Sequence, residues 1–280
     1  MKPIPRHFLH VSFIVFFIAI YTPAVPGDGI GGSIMESLTQ SPPSVPTTSV
    51  RKQALLALDD WVSRPRSETD EAVVAYYQAA IDRAITKITT DPVPSGVRIV
   101  QLYSSSVLVQ TPNTVFAFDL DRGPNPPSDD EPARFDLTRE QVARLASLIE
   151  IAFHTHEHDD HIDPLITEAL LLAGKTVVTT ESNKAAFAQY PWAKQLQTLA
   201  QTVEHPLELG SLKVDVLWDS QWSDSLHTRG TPCNAYVVTT PEGVSVMTKG
   251  DINCGLQLYG WLSLLKQHGR QIDIFVGSPI

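Results

Sequence analysis

The chain has 280 residues, of which 42% are hydrophobic, so it can form one large domain or two small ones with a substantial core. Its formal net charge is −10, which argues against a nucleic-acid backbone as the main partner, because that partner requires a basic surface. The same acidity does not exclude a phosphate ester, because bound metal ions carry their own positive charge.

The first 24 residues are typical of an export signal. A short basic region precedes a mostly apolar run over residues 8–21, and Thr22-Pro23-Ala24 supplies small residues where a signal peptidase cleaves. We therefore expect an exported protein, periplasmic or secreted, whose only membrane contact is this segment. An uncleaved membrane anchor is the alternative. Residues 25–50 are rich in Pro, Gly, Ser and Thr and predict a disordered linker.

Residues 51–92 predict a helical extension. Apolar residues recur at helical spacing over 54–62 and again over 73–88, and Asp91-Pro92 ends the pattern. Packing or homodimerisation is the expected role of these helices.

From residue 93 to residue 280 short strands alternate with helices, which indicates an α/β domain. Strands are predicted at 97–102, 107–110, 115–119, 149–153, 176–180, 212–218, 235–239, 244–249 and 272–276. Helices are predicted at 138–148, 164–173, 255–268 and over most of 183–202. The two cysteines, Cys233 and Cys254, would pair in an oxidising compartment or remain two buried thiols, and the sequence leaves both alternatives open.

Residues 154–161 carry the strongest chemical signal, because four of the 9 histidines fall in these eight positions. An apolar run leads into them, which predicts a site at the end of a buried strand. His156, His158, Asp160 and His161 form the pattern H-x-H-x-D-H. Residues two apart in an extended chain face the same way, so His156 and His158 can reach one ion. A backbone turn would aim Asp160 and His161 at a second.

Imidazole and carboxylate are the ligands of zinc or iron, and carboxylate also suits manganese. His154 repeats the H-x-H spacing with His156, but no D-H pair falls at the right offset for it. We interpret His154 as a strand-end residue or as one that supports the ligands from behind.

The segment Thr155-His156-Glu157-His158-Asp159-Asp160-His161 resembles the signature T-H-x-H-x-D-H of the metallo-β-lactamase fold superfamily. The resemblance covers residues 97–280 and implies a four-layer αββα sandwich of two mixed β-sheets, here with an N-terminal helical extension. It implies two further ligands, His227 in the segment H-T-x-G and Asp251 in the pair Gly250-Asp251. Asp119 stands where the family often has a buried aspartate that braces the metal loop. A plain strand-end aspartate is the other interpretation.

By this resemblance the cofactor is zinc, as two ions, with iron or manganese as other metals. The first ion is expected on His156, His158 and His227. The second is expected on Asp160, His161 and Asp251, and Asp251 bridges the two. A metal-bound hydroxide would then attack an ester, lactone, thioester or similar small substrate, with Asp160 orienting the nucleophile. Aspartate at position 251, where many β-lactamases have cysteine, argues against a β-lactamase.

The family also has a last histidine after the final strand, but the sequence here reads Gly277-Ser278-Pro279-Ile280. Either the second site is incomplete, another group fills it, or the chain is a truncated form of a longer protein. A core strand so near the end favours truncation. A non-catalytic metal-binding protein is therefore the alternative function. A third hypothesis is a partner-binding module at 51–90 attached to a degenerate hydrolase, whose deletion would leave metal binding intact.

Overall fold

The computed structural model describes residues 30–62 except Pro43 and Val45, and then residues 71–123, 136–221 and 230–277. The predicted export signal and His227 lie outside the described residues. Within this part of the chain, none of the helices combines the length and the apolar character that crossing a bilayer requires.

The described residues form seven α-helices, eleven strands and a 3₁₀ helix over Pro191–Gln195. The α-helices are α1 (Ile30–Gln40), α2 (Ser49–Val62), α3 (Glu71–Thr90), α4 (Arg139–Leu148), α5 (Pro164–Leu172), α6 (Glu181–Ala186) and α7 (Leu256–Gln267). The strands are β1 (Arg98–Gln101), β2 (Val107–Gln110), β3 (Val115–Phe118), β4 (Ile151–Phe153), β5 (Thr176–Thr179), β6 (Gln197–Thr198), β7 (Leu207–Leu209), β8 (Leu212–Ser220), β9 (Pro232–Thr239), β10 (Ser245–Thr248) and β11 (Ile274–Val276).

The strands form two mixed sheets, and in each of them the strands follow one another in chain order. Sheet A contains β1 to β6; β1, β2 and β3 are antiparallel, whereas β3 to β6 are parallel. Sheet B contains β7 to β11, which are antiparallel except for the parallel pair β10 and β11. The parallel crossovers through α4 and α5 bring the carboxyl ends of β3, β4 and β5 to one edge of sheet A.

The two sheets lie face to face between layers of helices. On sheet A, Ala152 faces the helices while its neighbour Phe153 packs against sheet B, because successive side chains of a strand point to opposite faces. On sheet B, Val237 faces outward and is covered by Trp261 and Leu265 of α7. The order is helix, sheet, sheet, helix, which is the αββα sandwich predicted for the fold class.

Helix α3 belongs to the outer helical layer of this sandwich, although the sequence predicts it as part of an extension. Its Ile81 and Ile85 are at most 1% exposed and lie in the same apolar cluster as Leu108 and Ala152 of sheet A. Helices α1 and α2 then pack against α3 through a smaller cluster. The predicted boundary at residues 92–93 therefore does not separate two cores.

Residues 30–40 form α1, whereas their composition predicts a disordered linker that extends to residue 50. Ile34, Met35 and Leu38 lie on one face of this helix, and all three are buried against the cluster that α1 shares with α2 and α3. Burial of this apolar face outweighs the poor helix propensity of the two glycines in its first turn. Composition alone does not reveal that face.

The position of α3 predicts a large effect for a core substitution within it. Ile85→Ala should lower the free energy of unfolding by about 2–5 kcal/mol, because it leaves a cavity in the main core. The control Leu56→Ala, at a side chain of α2 that is 60% exposed, should change it by less than about 0.5 kcal/mol. Urea denaturation of both variants measures this difference. An unchanged main transition in Ile85→Ala would mean that α3 is detachable from the domain.

Candidate metal centre

The candidate metal centre lies where the loop after β4 meets Gln221 at the end of β8 and the turn that follows β10. The segment after β4 carries four of the six predicted ligands at the carboxyl end of a parallel strand, the usual place for a site in such sheets. The segment ends at Asp163, whose carboxylate accepts hydrogen bonds from the N–H groups of Leu165 and Ile166 and so begins α5. The segment from His154 to His161, called the ligand loop below, is therefore fixed between strand β4 and the capped helix α5.

Three of the predicted ligands converge at this place. Nε2 of His156 lies 3.5 Å from Oδ2 of Asp251, and Nε2 of His161 lies 3.5 Å from Oδ1 of the same carboxylate. One ligand atom from each of the three residues lies within 4.8 Å of the other two. Each 3.5 Å separation suits a histidine nitrogen and a carboxylate oxygen that bind the same ion at about 2.0–2.2 Å, so the donor set fits a divalent metal such as zinc.

Two more predicted ligands lie beside these three. Nδ1 of His158 is 3.0 Å from Nε2 of His156, and Oδ2 of Asp160 is 3.6 Å from Nε2 of His161. Asp251 thus directs one oxygen toward His156 and the other toward His161, as a bridging carboxylate must. Five of the six predicted ligands are brought together, and the sixth, His227, lies outside the described residues.

A buried carboxylate, Asp119, supports the ligand loop from the end of β3. Its backbone has a φ of 49°, a left-handed conformation that aspartate tolerates better than most residues. The N–H and hydroxyl groups of Thr155 donate to its Oδ1 at 2.7 and 2.9 Å. Its Oδ2 lies 3.1 Å from Nδ1 of His161. These contacts match the bracing role that the sequence resemblance implies for Asp119.

The same contacts determine which ring nitrogens face the site. Because the Thr155 hydroxyl donates its proton to Asp119, its oxygen accepts a hydrogen bond from Nδ1 of His156, 3.1 Å away. Nδ1 of His161 likewise donates to Asp119. Both rings therefore carry a proton on Nδ1, so Nε2 is the nitrogen that faces the site and would bind a metal, which is the usual effect of residues behind metal ligands.

The charges at the centre strongly favour a cation. Burial lowers the pKa of His161, but the carboxylates of Asp119, Asp160 and Asp251 outweigh this effect and raise its pKa to about 9. The interaction with His156, assisted by the positive charges of His161 and Lys249, lowers the pKa of Asp251 to about 2. Without metal, a protonated His161 therefore faces an ionised Asp251 at neutral pH, and a metal ion must displace that proton.

Zinc binding should consequently release a proton and tighten as the pH rises. Since His161 titrates near pH 9, the affinity should increase up to about tenfold per pH unit between about pH 6 and pH 8. Calorimetric titrations at pH 7 in two buffers of different ionisation enthalpy count the protons released. An apparent binding enthalpy that is the same in both buffers would contradict this expectation.

Two residues at the centre, Gln221 and Lys249, were not predicted from the sequence. Gln221, after β8, donates from Nε2 to Oδ2 of Asp251 at 2.9 Å. Lys249 is buried, and its ammonium donates to the carbonyl of Ile252 at 2.9 Å, so it holds the turn that presents Asp251. Gly250 of the predicted Gly-Asp pair passes so close to Thr155 that a Cβ atom added to it would lie 2.6 Å from the Thr155 side chain. The sole sequence signal for Gln221 and Lys249 is their position at strand ends.

Cys233 and Cys254 do not form a disulfide in this structure. Cys254 is exposed, whereas Cys233 is buried beside the ligand loop with its Sγ 3.7 Å from Nδ1 of His156. Burial raises the pKa of the Cys233 thiol, which therefore stays protonated at neutral pH. Cys233 thus packs behind the His156 ring as a neutral side chain.

No protein-family model matches the sequence, and no curated protein matches it. Solved structures of similar fold include a Parabacteroides distasonis protein described as a metal-dependent hydrolase, an isothiocyanate hydrolase from Delia radicum gut bacteria, and the diiron β-hydroxylase CmlA from Streptomyces venezuelae. They are 15%, 16% and 16% identical to this chain, with TM-scores of 0.44, 0.45 and 0.43. The matches cover 65%, 60% and 70% of this chain and 71%, 67% and 39% of those proteins. Likeness at this level does not transfer an activity or a substrate.

Proposed function

We propose that this chain is a metal-dependent hydrolase with a metallo-β-lactamase-like fold, acting on an ester, lactone, thioester or similar small substrate. The observation that carries this proposal is the convergence of one ligand atom each from His156, His161 and Asp251, which all lie within 4.8 Å of one another. Zinc, as two ions, is the proposed metal, with iron or manganese as alternatives. His227 is proposed as a further ligand.

A divalent metal bound there supplies a Lewis acid and lowers the pKa of water toward neutrality. His156 and His158 would hold one ion, while Asp160 and His161 would hold the other, and Asp251 would contact both. The Asp160 side chain is 58% exposed although one of its oxygens lies close to His161. It can therefore reach both the metal centre and an incoming water, and orient that water toward the substrate.

Metal content and turnover of the purified full chain test this function. Elemental analysis should find two ions per chain, and chelation should abolish hydrolysis of at least one of four probes: p-nitrophenyl acetate, γ-butyrolactone, an acyl thioester and bis(p-nitrophenyl) phosphate. Adding zinc, manganese or ferrous iron should restore the activity. One tightly held ion without turnover would instead support the non-catalytic metal-binding alternative. Full hydrolysis by metal-free protein would overturn the proposal.

A further inference from the structure

We propose that His154 is a positioning residue of the metal centre, whose ring holds the carbonyl of His161 and so fixes the far end of the ligand loop. This proposal rests on the metal centre proposed above. His154 has no exposed surface, and its Nδ1 lies 2.9 Å from the carbonyl oxygen of His161. A carbonyl oxygen can only accept a hydrogen bond, so Nδ1 must carry the proton.

The hydrogen bond closes the loop that carries the ligands. It joins the first residue after β4 to the residue seven positions later, and His156, His158 and Asp160 lie between them. Among the described residues, no other group donates to the carbonyl of His161. That carbonyl belongs to a residue that is only 4% exposed, so losing its donor would leave a buried polar group unsatisfied.

His154 is itself held by both sheets, which makes it a rigid support. Its N–H donates to the carbonyl of Val178 in β5 at 2.8 Å, and its carbonyl accepts from the hydroxyl of Tyr236 in β9 at 3.1 Å. Tyr236 is fully buried and also receives a hydrogen bond from Asn234. The imidazole therefore projects from a fixed point toward the end of the loop.

His154 and Asp119 act on different parts of His161. The carboxylate of Asp119 contacts the ring of His161 and determines which nitrogen carries the proton. The ring of His154 contacts the backbone from which that side chain extends. Removing His154 should therefore displace His161 relative to Asp251 while leaving the hydrogen bond between Thr155 and Asp119 in place.

The protonation pattern of the His154 ring tests the hydrogen bond directly in the unaltered full chain. Nitrogen-15 NMR should find Nδ1 protonated and Nε2 unprotonated, both before and after zinc is added. Nε2 is buried and has no hydrogen-bond partner among the described residues, so a proton there would be unsatisfied. Observation of the Nε2-protonated form would overturn the proposal without recourse to any variant.

Two substitutions then separate positioning from mere packing. Asn places an amide N–H on Cγ, where His has Nδ1, so His154→Asn retains the donor and His154→Leu removes it. In competition with a chromophoric chelator, His154→Leu should bind zinc about 10–100-fold more weakly, and His154→Asn within about threefold of the unaltered chain. The control His205→Leu, at an exposed histidine far from the ligand loop in sequence, should bind zinc normally.

The possible failures are distinguishable. If the unaltered chain binds no zinc, the proposed function falls and this role of His154 falls with it. If the unaltered chain binds zinc and folded His154→Leu binds it equally well, only the positioning role is overturned. Equal losses in the Asn and Leu variants would mean that the ring fills space and that its hydrogen bond is unimportant. Circular dichroism of each variant establishes that it is folded before zinc is titrated.

Discussion

Asp251→Ala is expected to weaken zinc binding more than about 100-fold and to abolish any hydrolysis, since even residues behind metal ligands change affinity about 10–100-fold. The carboxylate faces both His156 and His161, so its removal takes a ligand atom from each side of the centre. It also leaves the amide of Gln221 without the oxygen to which it donates. Zinc titration against a competing chelator, followed by elemental analysis after dialysis, measures the loss.

Asp159→Asn is the matched control for this substitution. Asp159 is also an aspartate and lies beside Asp160 in the loop after β4, but its side chain is exposed. Its effect on zinc affinity should stay within about threefold, because exposed charges interact weakly through water. Zinc affinity that survives in Asp251→Ala would show that the centre does not depend on this carboxylate. An equal loss in both variants would point to general electrostatic attraction instead of ligation.

Gly250→Ala is expected to lower the free energy of unfolding by about 2–5 kcal/mol, from steric overlap and backbone strain together. A Cβ atom at this position would lie 2.6 Å from Cβ and Oγ1 of Thr155 and 2.9 Å from Sγ of Cys233. Both neighbours are buried and cannot move aside easily. Because Thr155 links Asp119 to His156, its displacement should also weaken zinc binding.

Gly243→Ala separates the two contributions. Gly243 has a φ of +82°, also left-handed, but a Cβ there would meet no atom within 4 Å. That variant should lose only the conformational part, about 1–2 kcal/mol, and retain its zinc affinity. Urea denaturation with and without chelator compares the two. Equal losses of unfolding free energy in both variants would mean that Thr155 and Cys233 move aside for the new Cβ atom without further destabilisation.

The features that the sequence predicts correctly are those set by local pattern. The capping box at Thr138 and Gln141 begins α4 as predicted, because both partners lie within one helical turn. The strand before the ligand loop follows from its apolar run. The spacing of His156, His158, Asp160 and His161 predicts their convergence because those residues share one short segment.

The features that escape prediction depend on contacts between distant segments. Residues 183–202 predict a mostly helical segment, yet α6 ends at Ala186 and residues 197–198 form strand β6, which pairs with β5 in parallel. Pairing with a neighbouring strand is not visible in the spacing of apolar residues. Gln221 reaches Asp251 only because β8, β9 and β10 pair in a particular register. The amphipathic pattern of α3 predicts a helix but does not identify the surface that it covers.

The chain order of the strands has a consequence for synthesis. Sheet A uses residues 98–198 and sheet B uses residues 207–276, so the first sheet can pair completely while the second is still being translated. Asp251 follows His161 by 90 positions (251 − 161), a delay of roughly 5–20 s at about 5–20 residues per second. Meanwhile Phe118 and Phe153 lack the sheet that covers them. Until sheet B forms, the nascent chain therefore exposes this apolar face of sheet A, and His156 and His161 lack the carboxylate of Asp251.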